Sequence, residues 1–193
     1  MENEFDKTES DEYLAAVVQG QVMPESHDAF EELVNRYEQK MTRYANKFLY
    51  TYEDRQDAVQ EVFLKSYKNI QSFRTSERFS PWIYRVAHNT FINIIKKQKR
   101  ETVTSLDMDT FFTWNVADER VPEARETELE REVLEQCLGA LDIKYREVLV
   151  LFYFEEKDYK EIAEILQIPT ATVGVRLRRG RKKMEEIYKQ LNK

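Results

Sequence analysis

The chain has 193 residues, 41% hydrophobic and 34% charged, with a formal net charge of −6, which gives room for one ordinary globular domain or two small ones. Gly and Pro number only four each, which disfavours a turn-rich all-β protein and favours helices. The N-terminal sequence has no apolar signal core, the longest apolar run (Val148 to Phe154) is too short to span a bilayer, and Cys137, the one cysteine, has no intrachain disulfide partner, so a cytoplasmic protein without membrane insertion is expected.

The net charge conceals a block pattern. Residues 1–28 carry −7, residues 29–100 carry +6, residues 101–132 carry −7 and residues 133–193 carry +2. Two segments that lean basic therefore flank an acidic one. A single charge run is most often a solvated surface, but two basic segments around an acidic connector point toward a polyanionic partner.

In chain order, residues 1–27 read as an acidic N-terminal segment. Over residues 29–50, Phe30, Leu33, Val34, Tyr37, Met41, Tyr44, Ala45 and Phe48 recur at three- and four-residue steps, the pattern of an amphipathic helix. A second helix is expected over residues 53–70, with Val59, Val62, Phe63, Tyr67 and Ile70 on its inner face and Asp54, Asp57, Gln60 and Glu61 outside. After the polar loop SFRTSERFS, Ser80-Pro81 has the form of a helix start, serine as cap and proline at the first helical position. That third helix is expected to reach about Lys97 and to end among the cations of KKQKR, which complement the helix dipole. Residues 101–127 are acidic and aperiodic and read as a linker, with one aromatic knot at Phe111, Phe112 and Trp114. Helical patterning resumes near Glu128, with Cys137 on the apolar stripe, and again over residues 144–154.

The stretch from Asp158 to Met184 has its own grammar. Asp158 with Glu161 three residues on resembles a capping box. Ile162, Ala163, Ile165 and Leu166 make the inner side of a short helix, Gln167-Ile168-Pro169 breaks it, and a new helix begins near Thr170 with Val173 and Leu177 facing inward. This is the spacing of a helix-turn-helix, whose second helix fits the major groove of DNA. Thr172, Arg176, Arg178, Arg179 and Arg181 are the candidate DNA-binding residues, the arginines meeting phosphates. The competing reading is a plain helical hairpin with a solvated end. Upstream, the basic helix carrying Trp82, Tyr84, Arg85, His88 and Asn89 has the parts that single-stranded DNA requires: aromatic faces to stack on bases, an amide for a base edge and cations for the backbone. The competing reading there is that Trp82 and Tyr84 are core aromatics.

The motifs DAVQEVFLKSY (57–67), SFR (72–74), FSPWIYRVAHNTFINIIKKQKR (79–100) and the helix-turn-helix occur in that order. Together they resemble a bacterial RNA polymerase sigma factor of the extracytoplasmic function group, over about residues 28–100 and 128–190. The resemblance implies an all-α fold of two small helical domains joined by the acidic linker. Residues 28–100 would bind core RNA polymerase and melt the −10 element, residues 101–127 would be the linker, and residues 128–193 would read the −35 element of promoter DNA. It also implies that the loop before the third helix forms a pocket for a flipped base, with Phe73, Phe79 and Asn89 as its residues. Asp57, Gln60 and Glu61 would dock on the clamp of the polymerase's largest subunit, and Phe111, Phe112 and Trp114 would anchor the linker inside the enzyme. An anti-sigma factor would be a further partner. The sequence departs from the family at Gln167, where glycine is usual in the turn. It departs also at Gly174 and Val175, where relatives often carry polar or basic readers, at Asn93, where an acidic residue is often seen, and in the length of residues 20–28.

Two rival functions are weaker. A helix-turn-helix regulator acting without the polymerase core explains residues 158–184 but leaves the aromatic-basic helix at 79–100 unexplained. An enzyme finds little support: His27 and His88 with one cysteine give no metal-ligand spacing, there is no glycine-rich phosphate loop, and no catalytic, metal or cofactor residue stands out.

Overall fold

The structure, a computed structural model, describes residues 9–22, 27–104 and 125–191. Among the described residues every regular element is helical: α1 (Asp11–Val18), α2 (His27–Asn46), α3 (Tyr52–Asn69), a 3₁₀ turn (Ile70–Ser72), α4 (Phe79–Thr104), α5 (Arg125–Ala140), α6 (Ile143–Tyr153), α7 (Tyr159–Leu166) and α8 (Thr170–Leu191). The chain divides into two compact units, with the main boundary between Ile95 and Lys96. Residues 105–124, including the aromatic knot at Phe111, Phe112 and Trp114, lie outside the described residues.

The first unit is built on α2. Its stripe of Leu33, Tyr37, Met41 and Tyr44, with Phe48 just past its end, is buried almost completely, as the three- and four-residue spacing requires. Tyr44 is the hub of an aromatic cluster, with ring centroids 5.1 Å from Phe48, 5.4 Å from Tyr84 and 5.5 Å from Phe91. α3 starts at Thr51, whose hydroxyl accepts the Asp54 N–H at 3.0 Å, an N-cap of the common kind.

The acidic N-terminal segment contains an element that its charge conceals. α1 buries Leu14, Ala15, Ala16 and Val17 against α2. Its N-cap is Ser10, which accepts the Tyr13 N–H at 3.1 Å. Asp11 accepts from the Tyr37 hydroxyl at 2.6 Å and from the Arg36 guanidinium at 3.0 Å, and Arg36 also donates to Glu32 and to the Glu9 carbonyl. Burial, together with the Asp11 carboxylate, raises the Tyr37 hydroxyl pKa far above its ordinary range, so this proton stays in place.

α4 starts differently from the expectation. Ser80 is not its cap. The helix begins at Phe79, whose N–H is taken by the Glu12 carboxylate of α1 at 2.9 Å, and Ser80 instead bonds Tyr37. A carboxylate at a helix N-terminus satisfies an orphan donor and meets the positive end of the dipole. The helix also runs on to Thr104, past the expected end near Lys97.

The second unit is built around α6. From Tyr145 to Leu151 every residue of this helix is buried, including the charged Arg146 and Glu147. Arg146 reaches back to the Gly139 carbonyl in the last turn of α5, pairing an acceptor the helix leaves open. α8 packs on both α5 and α6. Its contact with α6 is close at Gly180, where a Cβ would stand 3.1 Å from Leu149 Cδ1 and 3.3 Å from Tyr145 Cβ.

Candidate nucleic-acid interface

The helix-turn-helix is formed by α7 and α8. The capping box is complete: Asp158 Oδ1 accepts the Lys160 N–H at 2.8 Å and the Glu161 N–H at 2.9 Å, and Glu161 returns the bond to the Asp158 N–H at 2.9 Å. Gln167 ends α7 in the left-handed region at φ 53°, ψ 47°. This is the conformation that glycine usually supplies, and a non-glycine residue adopts it here.

α8 sorts its side chains by helical position. Val173, Leu177 and Gly180 face the domain interior, while Val175, Arg178, Arg179 and Lys182 are exposed on the opposite side, with Thr172 half-buried at its margin. Three members of the basic cluster have other positions. Arg176 is bound to Glu147 of α6 through Nη1 and Oε1 at 2.5 Å. Burial pushes the Glu147 carboxyl up, and the Arg176 charge opposes that rise. Arg176 therefore ties α8 to α6: its guanidinium, expected on a phosphate, is held by an acid in this structure. Arg181 lines an apolar cleft with Leu134, Cys137, Met184 and Tyr188. Lys183 stands 5.7 Å from the centroid of the Tyr145 ring. Gly174 faces α7, where a Cβ would sit 3.5 Å from the Tyr159 ring, an ordinary contact.

In the first unit the structure separates the expected single-strand site into a core and a surface. Phe73, Phe79, Trp82 and Tyr84 are all buried. Phe73, Phe79 and Trp82 form a triangle of rings with centroids 5.4 Å apart, and Tyr84 belongs to the Tyr44 cluster. Trp82 and Tyr84, expected to stack on bases, and Phe73 and Phe79, expected to line a base pocket, are all packed against other rings in this structure. Positions 82 and 84 lie about 200° apart on a helix, and no single external surface could have used both. Asn89 is exposed and Arg85 is half-buried one turn before it, so these two keep the position expected of them. His88 lies 3.4 Å from the Tyr44 hydroxyl through Nδ1. Between the buried Phe73 and Phe79 the loop presents Arg74, Ser76, Glu77 and Arg78 to solvent.

α3 carries a third surface. Asp57, Gln60 and Glu61 are exposed, and Glu61 is paired within the helix to Lys65 at 2.7 Å. Leu64, on the same side of the helix one turn past Gln60 and Glu61, is 54% exposed. Tyr67, expected on the inner face, is 44% exposed and meets Phe30 edge-on at 5.0 Å. Among the described residues no group of acids, histidines and cysteine could hold a metal ion, and no helix is long and apolar enough to cross a membrane.

Comparison with known proteins places these surfaces in context. Residues 33–101 match the model of sigma-70 region 2, and residues 131–184 match that of sigma-70 region 4. The ECF RNA polymerase sigma factor SigW of Bacillus subtilis is 37% identical over 177 residues, covering 89% of this chain and 93% of SigW. The ECF sigma-E factor of Haemophilus influenzae is 34% identical over 81% of this chain and 86% of its own length. Among solved structures, the fold is shared with CnrH, determined in complex with the cytosolic domain of CnrY (TM-score 0.69, 22% identity, covering 94% of this chain and 99% of CnrH). It is shared also with the sigma factor RpoE of Bartonella quintana, determined with the anti-sigma factor NepR (TM-score 0.69, 21% identity, covering 83% of this chain and 96% of RpoE). The chain belongs to the ECF sigma factors, which bind core RNA polymerase and direct it to promoters.

Proposed function

We propose that the two units divide promoter recognition between them. The second unit reads the −35 element in duplex form, with the exposed face of α8 in the major groove. Arg178, Arg179 and Lys182 hold phosphates while Thr172 and Val175 meet base edges. The observation that carries this reading is that face itself: three cations with no acid among them, around an exposed Val175, on the second helix of a helix-turn-helix. A valine offers contact to a thymine methyl and no hydrogen bond, which points to a −35 reading that rests more on phosphates and shape than on direct polar readout.

The first unit holds the opened −10 element. Arg85 and Asn89 on α4 and the exposed loop residues 74–78 are its DNA-facing groups. Asp57, Gln60, Glu61 and Leu64 on α3 form the docking surface for core polymerase. The site of action is the cytoplasm, and an anti-sigma factor is the regulator that fits the fold. The test is transcription in vitro with purified core polymerase on a genomic fragment library, with and without this protein. Protein-dependent start sites are expected, and their absence would overturn the reading. On a promoter found in this way, Asn89→Ala should slow opening by a factor equivalent to about 1–3 kcal/mol, the scale of one base contact. Permanganate footprinting of the −10 thymines measures it, and the defect should shrink on a template with a mismatched bubble.

A further inference from the structure

α1 lies outside the matched region 2, which begins at residue 33, yet the side chains of its Glu12 and of its C-cap, Gln19, reach the backbone of the loop before α4. Glu12 accepts the Phe79 N–H at 2.9 Å. Gln19 donates through Nε2 to the Ile70 carbonyl at 2.5 Å and to the Phe73 carbonyl at 2.8 Å, while its Oε1 accepts from Gln21 at 2.6 Å. These bonds cross 51 to 67 residues of sequence. Glu12 and Gln19 are seven positions apart, two turns and about 10 Å along one side of the helix, and they grip the two ends of the same loop. The entry end is Phe73, the exit end is Phe79, and their rings meet edge-on at 5.4 Å. Inside the loop, a turn closed by the Glu77 N–H on the Arg74 carbonyl at 2.8 Å carries the exposed side chains. α1 itself is fixed to α2 by Asp11 through Tyr37 and Arg36.

We propose that Glu12 and Gln19 are positioning residues for −10 recognition: from α1 they set the height and register of loop 74–78 against the unpaired strand. This rests on the sigma-factor reading above. Phe73 and Phe79 are then the posts of the loop, and α1 is the brace that fixes both. Neither Glu12 nor Gln19 needs to touch DNA. Because the bonds go to loop backbone, their loss frees the loop while the apolar contacts of Leu14 and Val17 still hold α1 in place.

The test is base discrimination. The full-length protein with core polymerase is given the strongest promoter found in the transcription assay, in versions carrying each base at each −10 position, and opening rates are measured. Glu12→Ala and Gln19→Leu should compress the ratio between the best and worst base at one or more positions at least about fivefold. Glu12→Gln, which keeps an acceptor for the Phe79 N–H, should stay within about twofold of the parent. Polymerase affinity should be unchanged in all three. Gln19→Glu, which sets an acceptor against two carbonyls in an isosteric side chain, gives the same readout if the leucine variant does not fold. Rates that fall by one common factor on every base, or that do not change, would overturn the proposal and leave α1 a stability element. A parent protein that opens no promoter would overturn the sigma-factor reading as well, so the two failures are distinct.

Discussion

Glycine at two positions of α8 shows how little residue identity says without neighbours. Both Gly174 and Gly180 sit inside a helix, where alanine is favoured by about 1 kcal/mol. At Gly174 an added methyl group meets the Tyr159 ring at 3.5 Å, an ordinary contact, whereas at Gly180 it meets Leu149 at 3.1 Å and Tyr145 at 3.3 Å. Gly174→Ala should therefore stabilise the protein by about 0.5–1 kcal/mol, since the propensity gain is not opposed. Gly180→Ala should fall below it by about 1–3 kcal/mol, the usual range for overpacking a core contact. Urea midpoints of the two variants, with equal slopes, measure the difference. From the sequence alone Gly174 drew attention, because it lies where a DNA reader is expected. Gly180 drew none, because a helix-packing glycine has no local signature.

At the scale of elements, the division of the basic cluster on α8 makes a prediction that charge counting would miss. Arg176→Ala should reduce stability by about 1–3 kcal/mol, because it removes the cation bound to the mostly buried Glu147; the pair is partly exposed, so the cost stays below that of a fully buried one. Arg178→Ala and Arg179→Ala should leave stability within about 0.5 kcal/mol. Each should instead lower the slope of log affinity against log salt by about one for promoter DNA. Chemical unfolding and salt-dependent binding of the polymerase complex separate the two classes; an Arg176 variant that is fully stable and loses salt slope would show it to be a phosphate ligand after all. The long helices α2 and α3 and the capping box at Asp158 were legible in the sequence because each repeats a local rule several times. α1 was not, since eight residues hold little more than two turns and the acids at and before its start, Glu9, Asp11 and Glu12, dominate the charge of the segment. The burial of Phe73, Phe79, Trp82 and Tyr84 was not legible for a different reason. Aromatic residues suit both a core and a stacking platform, and only the partners brought in by α1 and α2 decide between them.

For the whole molecule, the central transaction is with core polymerase, and the docking surface proposed on α3 is where it can be dissected. Asp57 and Glu61 are exposed acids, and Glu61 already has an intrahelical partner in Lys65. Exposed charges of this kind govern encounter rate and register more than lasting affinity. Leu64 differs. An apolar side chain 54% exposed beside these acids has surface left to bury only against a partner. Burying the rest of a leucine contributes on the order of 1 kcal/mol by area, and more where it fills a pocket at the centre of an interface. Reversing the charges of Asp57 and Glu61 should therefore slow association with core polymerase, with an effect that shrinks as salt rises. Leu64→Ala should leave association nearly unchanged and speed dissociation by about tenfold, with little dependence on salt. Neither change should move the unfolding midpoint appreciably, because all three side chains point outward. Stopped-flow association and competition-chased dissociation of labelled protein, at two salt concentrations, resolve the two signatures. Equal salt-dependent effects from Leu64 and from the acids would mean that the face acts only as an electrostatic guide. No effect from any of the three would place the docking surface elsewhere on the first unit.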